Sequence, residues 1–102
     1  MFNKIKLVTK LDLISLKLVI LETKIQRVPI FWNYQYMKLP EESRKEIMGW
    51  LEEQYALGIE SANILLKLKK YKEYKLVLQD LKRLEDNIAN IKYMCLQEGV
   101  TC

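Results

Sequence analysis

The stretch that decides the fold is residues 74–95, which read YKLVLQDLKRLEDNIANIKYMC. Its apolar side chains recur at alternating intervals of three and four residues, a spacing that places them on one face of an α-helix. This seam consists of Tyr74, Val77, Leu81, Leu84, Ile88, Ile91 and Cys95. Gly99 follows as a helix stop, because glycine readily adopts the left-handed conformation that ends many helices. The pattern predicts a helix over residues 72–98.

A second apolar seam with the same period lies near the start of the chain. It is formed by Leu7, Leu11, Ile14, Leu18, Leu21, Ile25 and Val28. The solvent side of this helix is marked by three lysines spaced seven residues apart, Lys10, Lys17 and Lys24. Pro29 ends the pattern, because proline has no amide N–H and pushes the preceding residue out of helical geometry. We therefore predict a first helix over residues 4–28.

The first helix also carries apolar residues outside its main seam. They are Leu13, Leu16 and Ile20. Because they widen the apolar surface beyond one stripe, we expect this helix to pack against two neighbours.

A middle helix is predicted over residues 40–68. Pro40 stands at the first-turn position that tolerates proline, and Glu41 and Glu42 lie where the positive end of the helix dipole favours carboxylates. Residues 67–75 contain neither Gly nor Pro, so one continuous rod formed with the last helix is the alternative. Such a rod would extend far past the first helix, which is about 37 Å long, and would leave its own seam unburied.

We therefore predict an all-α fold, an up-down bundle of three long helices in one domain, residues 1–102. Half of the residues are apolar and 29% are charged, proportions that suit a folded domain and exclude an intrinsically disordered chain. No apolar run approaches the ~20 residues that a membrane span needs. No cleavage site of a secretory signal follows the apolar run. Two cysteines are too few for a disulfide framework, so we expect reduced thiols, a cytoplasmic location and no membrane partner.

The connection between the first two helices is unusually aromatic. Residues 30–39 read IFWNYQYMKL, and the fold prediction allows a short fourth helical element here. One interpretation is an exposed protein-binding surface, since Trp and Tyr often dominate interface energies. Its residues would be Phe31, Trp32, Tyr34 and Tyr36. The alternative is that these rings close the open end of the core beside Tyr93, Met94 and Cys95.

The net charge of +4 is unevenly distributed along the chain. Residues 1–40 carry seven basic and two acidic side chains, residues 41–66 carry two and six, and residues 67–102 carry eight and five. An up-down topology brings two basic clusters to one end of the bundle. They comprise Lys4, Lys6, Lys10, Lys67, Lys69, Lys70, Lys72 and Lys75, with Tyr71 and Tyr74 interleaved and only Asp12 and Glu73 opposing them.

This basic end predicts binding to nucleic acid, RNA in preference to DNA. Clustered lysines attract phosphates, and interleaved tyrosines stack against bases. The alternative is a solvated lysine-rich turn that keeps a small protein soluble. Tyr74 is a core residue in either case, because it lies on the seam of the last helix.

The sequence contains none of the usual catalytic or metal-binding motifs. There is no histidine, which removes the commonest general base near neutral pH and the commonest metal ligand. No CxxC, no HExxH and no phosphate-binding glycine loop occurs. We therefore predict a non-enzyme with no catalytic residue, no metal site and no cofactor.

Three features together resemble one known bundle family. The first predicted helix ends at Pro29, Glu60-Ser61-Ala62-Asn63 lies late in the second, and Tyr74-x-x-x-Leu78-x-x-Leu81-x-x-Leu84 opens the third. That family comprises the accessory variability determinants of diversity-generating retroelements and related proteins encoded in ribosomal RNA intervening sequences. The resemblance covers about residues 10–97.

The resemblance implies a basic four-helix bundle that assembles as a pentameric ring and, in the retroelement members, binds a reverse transcriptase and its RNA. The chain departs from this pattern in two respects: the aromatic segment replaces a basic stretch after the proline, and a full fourth helix is missing. Two other functions stay open from the residues alone. One is a protein-binding inhibitor or immunity-type module that uses the aromatic segment, and the other is a homo-oligomeric structural subunit.

Overall fold

A computed structural model describes residues 2–27 and 36–100 of the chain. They form three long helices, α1 (Phe2–Gln26), α2 (Glu41–Lys67) and α3 (Tyr71–Glu98). The all-α three-helix bundle is thus confirmed, and the described residues contain no strand. Each helix begins and ends within two residues of its predicted bounds, while Val28 and Pro29 lie outside the described residues. None of these three helices has both the length and the apolar character needed to span a bilayer.

α1 and α2 run antiparallel, as an up-down bundle requires. Lys10 Nζ lies 2.8 Å from Glu60 Oε1, near the start of α1 and the end of α2. At the other end of the pair, Lys24 Nζ lies 5.8 Å from the centre of the Trp50 ring.

The spaced lysines are exposed as predicted, and the register of α1 and α2 adds an ion pair to that role. Glu46, Glu53 and Glu60 on α2 are also seven residues apart. Since Lys10 pairs with Glu60, Lys17 falls opposite Glu53, and the next lysine of the series falls opposite Glu46. These lysines follow the edge of α1 that borders α2, and their side chains remain exposed there.

α3 packs antiparallel on the other flank of α2. Lys92 Nζ lies 3.4 Å from Glu52 Oε1, and Leu81 packs directly over Gly58. A Cβ added at Gly58 would lie 2.6 Å from Leu81 Cδ2, so glycine is what admits this leucine. The helix-to-helix contacts of the bundle are mainly those of α2 with its two neighbours.

The best-packed core lies at the end of the bundle where α1 and α3 finish. It contains Ile25, Tyr36, Ile47, Met48, Leu51, Ile91 and Cys95, all buried. Tyr36 and Met37 are helical, and Met37 packs against this core. The short element allowed by the fold prediction therefore has at least these two residues.

Cys95 is disulfide-bonded, which makes the prediction of reduced thiols wrong. The sequence holds one other cysteine, Cys102, which lies outside the described residues. The prediction failed because the apolar spacing that assigns Cys95 to the core contains no information about its oxidation state.

Away from that core, the bundle is open between α1 and α3. On α3 only Ile91 and Cys95 are buried, while Val77, Leu81 and Leu84 are half-buried. The three helices enclose a groove of about 480 Å³, with α2 as its floor. Outside that core, the expectation that α1 packs against two neighbours is therefore wrong. The residues that suggested a second neighbour, Leu13, Leu16 and Ile20, are exposed by 56%, 60% and 50%.

Candidate nucleic-acid interface

The candidate interface is built around the turn that joins α2 to α3. The Lys69 amide donates to the carbonyl of Leu66 at 3.1 Å, and the Lys70 amide donates to that of Leu65 at 2.9 Å. These two bonds are the Schellman pattern that satisfies the last carbonyls of a helix. They end α2 without Gly or Pro, so the alternative of one continuous rod is excluded.

Lys69 adopts the left-handed backbone conformation, with φ of 59°. The end of α3 uses the same device, but there the left-handed residue is Gly99, with φ of 68°. This conformation costs a residue with a Cβ about 1–2 kcal/mol, whereas glycine adopts it without that cost. Strained backbone of this kind is concentrated at functional sites, so a lysine in this conformation makes the turn a candidate site.

The lysines predicted for this site are gathered at one end of the bundle. Those of the α2–α3 turn and the first turns of α3 are all exposed, namely Lys67, Lys69, Lys70, Lys72 and Lys75. Lys4 and Lys6 are exposed near the start of α1, which lies beside the end of α2. The described structure therefore permits all seven ammonium groups to meet a phosphate backbone in solvent.

Lys10 differs from the other lysines of the site, because its ammonium is already paired. The partner, Glu60, was not among the acidic residues predicted to oppose this cluster. The two side chains are 60% and 40% exposed, so the pair is screened by water and can exchange for a phosphate. The seven-residue spacing of lysines and glutamates was the signal that could have revealed this pair.

The two tyrosines of the site have different surroundings. Tyr71 is 55% exposed beside Lys70 and Lys72, whereas Tyr74 is half-buried on the α3 seam. Base stacking needs an open ring face. Tyr71 is therefore the stacking candidate, and Tyr74 has the core position that the seam predicted.

The other predicted site, the aromatic segment, is corrected at Tyr36. This side chain is completely buried, and its hydroxyl donates to the Arg44 carbonyl at 3.0 Å. Arg44 is buried as well, and its Nη1 donates to the Leu39 carbonyl at 2.6 Å. A ring held in this way cannot contact a partner, so Tyr36 closes the core. The other predicted residues lie outside the described ranges, namely Phe31, Trp32 and Tyr34.

Burial raises the pKa of the Tyr36 hydroxyl above its ordinary value of 10.0, and the positive charge of Arg44 opposes that shift. The hydroxyl is therefore neutral at physiological pH and available as a hydrogen-bond donor. Its role is structural.

Comparisons of the chain with family models, with curated proteins and with solved structures give no match. The resemblance to the retroelement and intervening-sequence bundles therefore stays a prediction. What the structure defines is a class, a small all-α bundle with one packed end and one lysine-rich end.

Proposed function

We propose that this protein is a non-catalytic accessory protein that binds nucleic acid, RNA in preference to DNA, through its lysine-rich end. The observation that carries the proposal is the α2–α3 turn. Four exposed lysines, Lys67, Lys69, Lys70 and Lys72, occupy six consecutive positions there, and one of them holds the left-handed conformation that glycine would adopt at lower cost.

Phosphate binding at this end would be driven by charge neutralisation and the release of counterions. Each lysine that neutralises a phosphate releases a condensed cation, so affinity falls as salt rises, with a slope of about −0.7 per contact for a single strand. The exposed Tyr71 ring adds a platform for an unstacked base. Unstacked bases occur in single strands and loops, which favours a folded or single-stranded RNA over a DNA duplex.

The test replaces the four turn lysines together with glutamate: Lys67→Glu, Lys69→Glu, Lys70→Glu and Lys72→Glu. The matched control reverses four exposed lysines on other parts of the surface: Lys24→Glu, Lys45→Glu, Lys82→Glu and Lys92→Glu. Each lysine-to-glutamate change removes two units of charge, so both variants go from +4 to −4. Three of the control lysines are ion-paired, so circular dichroism must first show that both variants fold as the wild type does. A difference in binding between two folded variants then reports position rather than total charge.

Binding is measured by fluorescence anisotropy with a single-stranded RNA oligonucleotide over a salt series. We expect the turn variant to lose binding even at low salt and the control to keep most of it. If the turn variant still bound at low salt, the proposal would be wrong. Equal losses in the two variants would show attraction by net charge alone and would remove the turn as the site.

The proposal places the protein in the cytoplasm, and the Cys95 disulfide is the observation that opposes this location. Disulfides are rare in the reducing cytosol and persist in oxidising compartments. Alkylation of the thiols in intact native cells, followed by mass spectrometry of the Cys95 peptide, distinguishes a reducing compartment from an oxidising one. A labelled thiol supports the cytoplasmic location, and a protected disulfide contradicts it.

A further inference from the structure

Two apolar surfaces remain uncovered on opposite sides of α1. The first is the groove between α1 and α3, where Leu18 on one wall and Leu81 and Leu84 on the other are only half-buried. The second, which we call the outer stripe, consists of Ile5, Leu13, Leu16 and Ile20, each exposed by half or more.

The outer stripe is a continuous feature of α1. At about 100° per residue, Leu16 and Ile20 point away from Ile14 and Leu21, the buried residues of this helix. α1 is thus apolar on two opposite faces and covered on one of them. An exposed apolar patch on a small protein commonly marks an interaction surface.

The two surfaces match in length and in charge. Ile5 to Ile20 covers about 22 Å of helix, and the α3 wall of the groove, Val77 to Ile91, covers about 21 Å. The charged residues that line the groove are Glu22, Asp80 and Arg83, which sum to −1. The charged residues one helical turn from the outer stripe are Lys10, Lys17, Lys24 and Asp12, which sum to +2.

We propose that the groove receives the outer stripe of a second copy of this chain, so that α1 of one molecule becomes the fourth helix of another. This mode of recognition lays an apolar helix face into a groove between helices. The stripe and the groove are different surfaces, so each molecule carries both halves of the contact. The proposal does not depend on nucleic-acid binding, which uses the lysine-rich end.

The experiment is sedimentation velocity of the whole chain from about 10 µM to about 500 µM, a range that covers a contact of micromolar strength. We expect the average mass to rise with concentration from the monomer value of 12.2 kDa to at least twice that value. Leu16→Glu removes the stripe, and Asn87→Trp fills the groove from the α3 wall. Each of these variants should stay at 12.2 kDa at every concentration.

The decisive arm mixes these two variants in equal amounts. One supplies an intact groove and the other an intact stripe, so the mixture should form a complex of twice 12.2 kDa that grows no further. Leu78→Glu is the matched control, because Leu78 is an exposed leucine on α3 that does not line the groove. It should associate as the wild type does. Asn90→Trp, on the same α3 wall, is the replacement groove variant if circular dichroism shows that Asn87→Trp does not fold.

Three results would overturn the proposal. A wild type that stays monomeric throughout excludes a second copy as the occupant, and a variant mixture that fails to pair excludes this pairing of surfaces. A monomer that floats with phosphatidylglycerol vesicles, and loses that binding on Leu16→Glu, would assign the stripe to a lipid surface instead.

Discussion

The same three helices form a closed core at one end of the bundle and a charged turn at the other. At the packed end, Tyr36, Ile47, Ile91 and Cys95 form a closed core. At the lysine end, charged side chains surround a turn whose Lys69 backbone is strained. The contrast lies in the surface of the two ends, because α2 also buries Ala62, Ile64 and Leu65 near the lysine end.

The largest effect should come from a cavity in the packed end. Ile91→Ala removes three carbons from a side chain that is 3% exposed, and we expect it to lower the free energy of unfolding by about 2–5 kcal/mol. Ile59→Ala is the matched control on the surface of α2 and should change it by less than about 1 kcal/mol. Urea denaturation followed by circular dichroism measures both. Equal losses would contradict the burial of Ile91 in the packed core.

Tyr36 provides the second test of the packed end. Tyr36→Phe removes the hydroxyl that donates to the Arg44 carbonyl, and we expect a loss of about 0.5–1.5 kcal/mol. Tyr55→Phe, at a half-buried tyrosine on α2, is the control and should cost less. A ring that projected into solvent would give no loss at Tyr36.

The same residue predicts a pH dependence at its own end of the bundle. The pKa of Tyr36 is raised by burial above 10.0, so the folded state holds its proton more tightly than the unfolded chain does. Its contribution to stability is therefore complete below pH 10.0 and is lost as the pH rises through the folded pKa. Urea titrations on both sides of that pH should show a steeper fall for the wild type than for Tyr36→Phe. Identical slopes would contradict the raised pKa.

Much of the fold could be predicted from the sequence, because the two clean seams and the helix stop at Gly99 depend on local periodicity. The turn at Lys69 was placed within one residue although no Gly or Pro marks it, whereas its left-handed conformation belongs to the folded backbone and could not be predicted. The groove was missed for another reason. Periodicity identifies which residues are apolar, but the distance between α1 and α3 depends on how both pack on α2.

In the candidate sites, too, one part could be predicted from the sequence and another could not. The lysine cluster was predicted from the up-down topology and the charge counts, and its lysines are exposed in the structure. The burial of Tyr36 could not be decided from the sequence, because a tyrosine has an apolar ring and a polar hydroxyl and suits both a surface and a core.

A smaller and opposite effect is expected at the lysine end. Lys69→Gly relieves the left-handed strain and should stabilise the protein by about 1 kcal/mol. Lys72→Gly removes the same charge from the first turn of α3 and should destabilise by up to about 1 kcal/mol, because glycine is a poor helix former. Urea denaturation gives the sign of each change. Destabilisation by Lys69→Gly would mean that the turn is not strained.

The smallest effect should come from the Lys10–Glu60 pair, which ties the start of α1 to the end of α2. Both side chains are substantially exposed, so a double-mutant cycle of Lys10→Ala and Glu60→Ala should give a coupling of about 0–1 kcal/mol that falls with added salt. The same two substitutions should have opposite effects on the affinity for RNA. Glu60→Ala frees a lysine for phosphate and should raise affinity, whereas Lys10→Ala should lower it. If both changes lowered affinity equally, Lys10 would act on the fold and not on the ligand.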